Sequence, residues 1–367
     1  VRTEEAAADV DVVVIGAGQA GLSTGFHLRR TGHRPETGYV LLDAPPGPGG
    51  AWQFRWPTLR MATVHGVHDL PGLPMGPVDE TARAATVVPA YFADYEKHFA
   101  LPVHRPVQVR SVRPEDDDPQ GRLRVETDRG EYSARAVINA TGTWTRPFWP
   151  SVPGQADFRG RQLHTVDYQG PAEFAGARVV VVGGGSSAIQ LLAEIAGVAE
   201  TTWVTRRPPV FHEGPFTHEH GRAAVALVDE AVRAGRPPES VVGVTGLLLT
   251  PEVRQMQEAG LLNRLPMFDS LSQDGPVWDD GRAVSADVIL YATGFRAALD
   301  HLRPLRLREP GGGIVVENTR VPAEPRVQLV GYGPSASTVG ATRAGRFAVR
   351  DVNRLLGRAP LGSSAVR

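Results

Sequence analysis

Val10-Asp-Val-Val-Val-Ile15-Gly16-Ala-Gly18-Gln19-Ala20-Gly21 is the stretch that decides the fold. A β-branched run of this kind suits a strand buried on both faces of a parallel sheet. It passes without a break into a G-x-G-x-x-G loop, and residues 22–30 continue with helical character. Gly16 permits the tight turn, Gly18 lets backbone approach a pyrophosphate, and Gly21 lets the helix lie against the strand. Gln19 and Ala20 stand at the helix start, where free amides and the helix dipole favour phosphate. A second strand, 39–42, ends at Asp43, placed to accept hydrogen bonds from ribose hydroxyls. The glycine pattern alone is weak. Strand, loop, helix, strand and acid in that order read as a dinucleotide-binding unit.

The same order returns downstream. Arg178-Val-Val-Val-Val182 enters Gly183-Gly-Gly185-Ser186-Ser187-Ala188, a helix follows over 188–196, and a strand over 201–205 ends in Arg206-Arg207. Where the first unit carries an acid, this one carries two guanidinium groups. These can neutralise and fork-bond a 2′-phosphate, which favours NADPH over NADH. Two strand ends also repeat: Ala140-Thr141-Gly142 after the strand 132–138, and Ala292-Thr293-Gly294-Phe295 after the strand 287–290. Small residues at a strand end suit close approach of backbone to a ligand. A final strand, 327–330, leads to a helix over about 338–356 with Ser337 or Thr338 as N-cap. Its amide-rich end is suited to face an anionic ring.

The rest of the chain bounds the chemistry. Its 367 residues are 41% hydrophobic and 22% charged, with a net charge of −1, as expected of a globular protein of two domains. No basic stripe marks a nucleic-acid partner. No apolar run reaches the roughly 20 residues that cross a bilayer, and the start has no secretory pattern, so a cytoplasmic protein with no membrane partner is expected. There is no cysteine, which excludes a dithiol or thiolate centre, and the only lysine, Lys97, makes Schiff-base chemistry improbable. Redox chemistry must therefore come from a bound cofactor.

Between the two units lie Gly49-Gly50-Ala-Trp52, with an aromatic cluster of Trp52, Phe54 and Trp56; a helix over 91–99; and strands over 107–112, 123–127 and 132–138. Asp116, Asp117 and Asp118 mark an exposed turn. His65 with His68, and His218 with His220, read as ordinary histidines, with no metal site. Residues 210–282 are hard to read; a loop of Pro208, Pro209, His212, His218, Glu219 and His220 precedes a helix over 222–234. The stretch Phe158-Arg-Gly160-Arg-Gln-Leu-His164-Thr-Val-Asp-Tyr168 fits neither a helix nor a strand and reads as a polar joint between the glycine loops.

Taken together, these motifs resemble the flavin-containing monooxygenases, over nearly the whole chain. The linker pattern Phe158-x-Gly160-xxx-His164-xxx-Tyr168 is the most specific of them. The resemblance implies an α/β fold of two Rossmann-like domains, the NADPH domain (151–291) inserted between two parts of the FAD domain (1–150 and 292–367). It further implies FAD on the first loop, NADPH on the second, and O2 adding at flavin C4a to oxidise a soft nitrogen or sulfur of a small molecule. Tyr168 is similar to the heteroatom-oxidising branch, where Baeyer–Villiger relatives carry Trp. His164 and Tyr168 are expected to position the domains. Thr63, in Met61-Ala62-Thr63-Val64, stands where many members have an asparagine pair near the flavin. Gly331-Tyr332-Gly333 lacks the acid that related reductases use for the ribityl chain. A ketone monooxygenase, an NADPH oxidase or diaphorase, and a non-catalytic redox-sensing flavoprotein are the rival readings. A homodimer stays open.

Overall fold

The computed structural model describes residues 7–64, 67–213, 218–238 and 246–358; the side chains of 218–224 and of Thr338 lie outside that description. The expectations for His65, His218, His220 and the Thr338 side chain therefore concern atoms outside the described part of the chain.

Two sheets organise the chain. The first is built from β1 (Ala8–Ile15), β2 (Tyr39–Leu42), β3 (Val103–His104), β4 (Val109–Pro114), β5 (Leu123–Thr127) and β6 (Gly130–Asn139), in the order β3-β2-β1-β6-β5-β4. Strands β3, β2, β1 and β6 are parallel, whereas β4, β5 and β6 form an antiparallel meander. The second sheet takes β7 (Arg161–His164), β8 (Arg178–Val182), β9 (Glu200–Thr205), β12 (Leu265–Pro266) and β15 (Val288–Tyr291), in the parallel order β12-β9-β8-β15-β7. Between them in sequence come β10 (Phe211–His212), β11 (Leu247–Leu248) and the hairpin β13 (Ser270–Ser272) and β14 (Gly275–Val277). The last strand, β16 (Val327–Leu329), then pairs with β6 of the first sheet.

Side-chain alternation explains why both sheets are covered on two faces. Along β1, Val12 and Val14 enter one core with the helices α1 (Gln19–Arg30), α2 (Ala84–His98) and α6 (Thr338–Leu355), while Val13 and Ile15 enter the core on the other face. Along β8, Val179 and Val181 pack against α3 (Ser186–Ile195), and Val180 and Val182 face Phe268 and Trp278. A period of two buried on both sides is what a continuous β-branched run provides. The other helices are α4 (His218–Arg233) and α5 (Pro251–Glu258).

Three expectations need correction. The stretch 158–168 is not all loop: β7 lies within it, register-paired from Arg161 with Val288 to His164 with Tyr291. It is an edge strand, so its polar Arg161 and Gln162 meet solvent, and the apolar pattern that marks a central strand is absent. Helix α2 begins seven residues before the expected start at 91 and carries Pro89 inside it. A proline normally breaks a helix pattern, but here its ring sits where a Cβ on Gly49 would lie 2.7 Å from Pro89 Cγ. Residues 208–220 hold the short β10 and the start of α4, not a continuous loop.

Candidate active site

The first glycine loop is held by contacts only glycine allows. Gly16 has φ +99°, and a Cβ there would lie 2.6 Å from Ala140 O; a Cβ on Gly21 would lie 1.9 Å from Gly16 O. The turn Ala140-Thr141-Gly142 is thus packed directly against the loop. Gly18 faces Gly50, whose own Cβ would meet Gly18 Cα at 2.8 Å. The second loop repeats the device: a Cβ on Gly183, φ +151°, would lie 2.2 Å from Ala292 O. Ala188 is fully buried, and α3 opens at Gly185 with no side-chain cap, followed by the half-buried Ser186 and Ser187.

The two strand-end turns are tied crosswise. Thr141 Oγ1 donates to Ala298 O (2.7 Å) and Ala298 N donates to Gly142 O (3.0 Å). In return Phe148 N donates to Gly294 O (2.9 Å), Thr293 Oγ1 donates to Phe148 O, and Pro147 bridges Phe295. The chain leaving each sheet is therefore fastened to the turn of the other, and Arg146 and Asp300 add an ion pair across the join.

A cavity of about 580 Å³ opens along the first loop. Gly16, Gly18, Gln19, Ala20, Asp43, Gly50 and Trp52 line it on one side; Ala140, Thr141, Gly142, Phe295 and Ser337 complete it. Its size is that of a typical ligand site. The Ser337 side chain accepts from Gly340 N at 3.0 Å and caps α6, leaving that helix start at the cavity edge. Asp43 is 4% exposed and already engaged: Oδ1 accepts from Ala17 N (3.0 Å) and Oδ2 from Arg105 Nε (2.7 Å). Arg105 in turn forks onto Glu96 (2.7 and 2.8 Å). Each carboxylate oxygen accepts more than one hydrogen bond, so Asp43 keeps capacity for a hydroxyl while its direction is fixed. Arg105 and Glu96 were invisible in the sequence, since each is a single charged residue without a motif.

His301, from the turn after Phe295, also lines the cavity; its Nε2 is 2.7 Å from Asn139 Oδ1, and burial lowers its pKa from 6.5 to about 4. Arg55 is the other unforeseen group. It follows the Gly50–Phe54 turn, and its guanidinium lies 5.4 Å from the Trp52 ring centre and 4.8 Å from that of Trp144. Burial lowers its pKa, and its Nε is enclosed with no hydrogen-bond partner. Two cation–π contacts offer roughly 0.5–2 kcal/mol each, less than the several kcal/mol lost on desolvating an ion.

Thr63, expected near the flavin, and His164 and Tyr168, expected to position the domains, do not line this cavity. Thr63 is exposed on a short 3-10 turn, its hydroxyl donating to Arg60 O. His164 is fully buried at the end of β7, between Trp149 (5.7 Å) and Phe295 (5.1 Å). Its Nε2 lies 3.1 Å from Gly294 O and its Nδ1 lies near Thr165 Oγ1 and Val166 N. A carbonyl can only accept, so Nε2 carries the proton; burial lowers the pKa, against the opposing pull of that hydrogen bond and of Asp167. Tyr168 is 1% exposed; it donates to Glu194 Oε2 (2.8 Å), stacks on Phe174 and meets Trp56 edge-on. Thr58 reaches the same carboxylate oxygen at 2.6 Å. Tyr168 thus joins the loop after Trp52 to α3.

Arg206 and Arg207 are exposed past the end of β9. Thr205 organises this corner: its hydroxyl donates to Arg207 O (2.8 Å) and accepts from Arg264 Nε (2.9 Å). Arg264 brings a third cation to the strand end from a segment 59 residues away, which no local pattern signals. No group of metal ligands occurs among the described residues, and no described helix is long and apolar enough to cross a membrane.

Known proteins share this arrangement. Residues 13–218 match the pyridine nucleotide-disulphide oxidoreductase family. The solved flavin-containing monooxygenase from Stenotrophomonas maltophilia is 39% identical, with a TM-score of 0.80 over 95% of this chain and 99% of that one. An uncharacterized oxidoreductase, CzcO, of Bacillus velezensis is 28% identical over 55% of this chain, and a Baeyer-Villiger monooxygenase of Streptomyces coelicolor is 29% identical over 55%. The chain matches 56% and 38% of the lengths of these two curated relatives. With two glycine loops on two parallel sheets and a full-length match to a solved relative, the chain belongs to the flavin-containing monooxygenases, within the pyridine nucleotide-disulphide oxidoreductases.

Proposed function

We propose that the chain binds FAD on the first loop and NADPH on the second, and uses O2 to oxygenate a soft nitrogen or sulfur of a small molecule. The observation that carries this is the crosswise fastening of Gly142 and Gly294, which couples two nucleotide loops through one join. The domain division 1–150, 151–291 and 292–367 is part of the same proposal, supported by β16 returning to β6.

The residues fit both groups. The cavity is lined by Gly16, Gly18 and Gly50, where a pyrophosphate would lie against bare backbone, and Asp43 is aimed for a ribose. At the second loop the start of α3 at Gly185, which has no side-chain cap, turns its amides toward a phosphate, and Arg206, Arg207 and Arg264 provide cations for a 2′-phosphate. Flavin, when bound, supplies hydride acceptance and oxygen activation, and the protein supplies orientation and exclusion of water. His164 contributes by fixing Gly294, Ser337 by ordering the start of α6, and Trp52 and Trp144 by covering the cavity. One oxygen atom goes to substrate and the other leaves as water, with both electrons drawn from NADPH.

A product screen tests the reading. The FAD-loaded protein is supplied with NADPH, O2 and either a methyl aryl thioether or a cyclic ketone. Sulfoxide formation supports heteroatom oxidation. Ester without sulfoxide would replace it with the ketone monooxygenase, whose support is the 29% identity to a Baeyer-Villiger monooxygenase. NADPH consumption that ends only in peroxide would indicate an oxidase.

A further inference from the structure

We infer that Arg55 makes this site selective for an anionic substrate, a small carboxylate that also carries the oxidisable atom. The inference rests on the reading of the cavity as the flavin and substrate site. Among the described lining residues the carboxylates are already paired, Asp43 with Arg105 and Asp300 with Arg146. Among the described residues Arg55 has no such partner: its Nε is enclosed without a hydrogen bond, and its charge rests on the faces of Trp52 and Trp144. Those faces compensate too little for desolvation, so an oxyanion entering the cavity is the missing counter-charge. Cofactor phosphate is the other anion at hand. The amides at the α1 start suit phosphate, whereas Arg55 lies in an aromatic layer: Trp144 stacks on Phe295 (5.1 Å) and on Phe54 (6.5 Å), and Phe54 is 44% exposed. A guanidinium flanked by flat apolar rings at an open edge suits an organic acid, with the carboxylate on the fork and the carbon skeleton on the indoles.

The test compares 4-(methylthio)benzoate with its methyl ester, which share the sulfur and ring and differ in charge. Binding to the oxidised FAD-loaded protein, without NADPH, is followed by the change in flavin absorbance. The acid is expected to bind about ten- to a hundredfold tighter than the ester, the range of one charge-assisted contact. In R55Q the ratio should fall to about one, and R55K should keep part of it because the charge remains without the fork. Equal binding of acid and ester by the wild type overturns the inference, as does an unchanged ratio in R55Q. A third outcome, FAD affinity lost in R55Q with the acid-to-ester ratio intact, assigns Arg55 to cofactor phosphate and also overturns it. Because binding is read without turnover, a protein that discriminates the acid but oxygenates nothing would sink the proposed function and leave standing only the selection of an anionic ligand by Arg55.

Discussion

Replacing His164 by alanine separates coupling of the two nucleotide loops from retention of the first. The substitution removes the 3.1 Å hydrogen bond to Gly294 O and a ring packed against Phe295 and Trp149. The carbonyl is not orphaned, since Phe148 N still donates to it at 2.9 Å. The hydrogen bond therefore accounts for about 1 kcal/mol, and the emptied volume for about 2–3 kcal/mol more. That loss falls on the turn Thr293-Gly294-Phe295, and Phe295 lines the cavity. Misplacement of reacting groups by about 1 Å costs on the order of 100-fold in rate. Anaerobic reduction of bound flavin by NADPH should thus slow by ten- to a hundredfold in stopped-flow absorbance, while FAD content per chain stays near that of the wild type. His164→Gln, which keeps a donor, should recover part of the rate. If the alanine variant instead loses FAD and its remaining flavin is reduced at the normal rate, His164 is only a structural joint.

Arg206→Ala/Arg207→Ala should raise Km for NADPH at least tenfold with little change for NADH; an unchanged ratio would remove the 2′-phosphate assignment, and Arg264→Ala should shift it the same way. Gly16→Ala forces a Cβ to within 2.6 Å of Ala140 O, so folded yield and FAD retention should collapse, whereas Gly142→Ala meets nothing within 4 Å and costs only about 1 kcal/mol for its φ of +62°; thermal shifts of equal size would contradict this. Thr63→Ala should leave flavin reduction and product yield within about threefold, because the hydroxyl is exposed and bonds only Arg60 O; a tenfold loss of product yield would return Thr63 to the reaction centre. Burial lowers the pKa of His27 and His301 from 6.5 to about 4, with Arg30 and Arg346 adding to the effect at His27, and burial also lowers His33 and His164. The unfolded chain takes up these protons below 6.5 and the folded one resists, so stability is complete above that pH and is lost as pH falls toward 4, by at most about 3 kcal/mol for each of the two largest shifts. A denaturant midpoint that stays flat from pH 7 to 5 would refute it.

The parts legible in the sequence are those whose signal is local. Val12–Ile15 and Val179–Val182 are two-sided strands because every residue is apolar, and Gly16, Gly21 and Gly183 announce contacts that exclude a Cβ. What stayed hidden depends on chain segments that meet only after folding. Arg105 reaches Asp43 from 62 positions away and Arg264 reaches Thr205 from 59. The strand at Arg161 exists because Val288 pairs with it, and the Pro89 ring in α2 packs where Gly49 has no Cβ. Tyr168 was recognised by its spacing, but only its bond to Glu194 explains why a hydroxyl is wanted there. Arg55 carried a weak signal, a lone cation between Phe54 and Trp56.

The crosswise fastening of the two strand-end turns limits how freely the halves can be exchanged. Thr141 and Gly142 bond to Ala298, and Gly294 and Thr293 bond to Phe148, so each half supplies a segment that completes the other's loop. A second sheet grafted from a relative together with its own 293–298 would meet the other parent's residues at Thr141, Gly142 and Phe148. Chimaeras of this fold should therefore break not at the ends of the sheets but outside 141–148 and 293–298, with both segments taken from one parent. The unit of inheritance is the matched pair of crossovers, not the nucleotide domain.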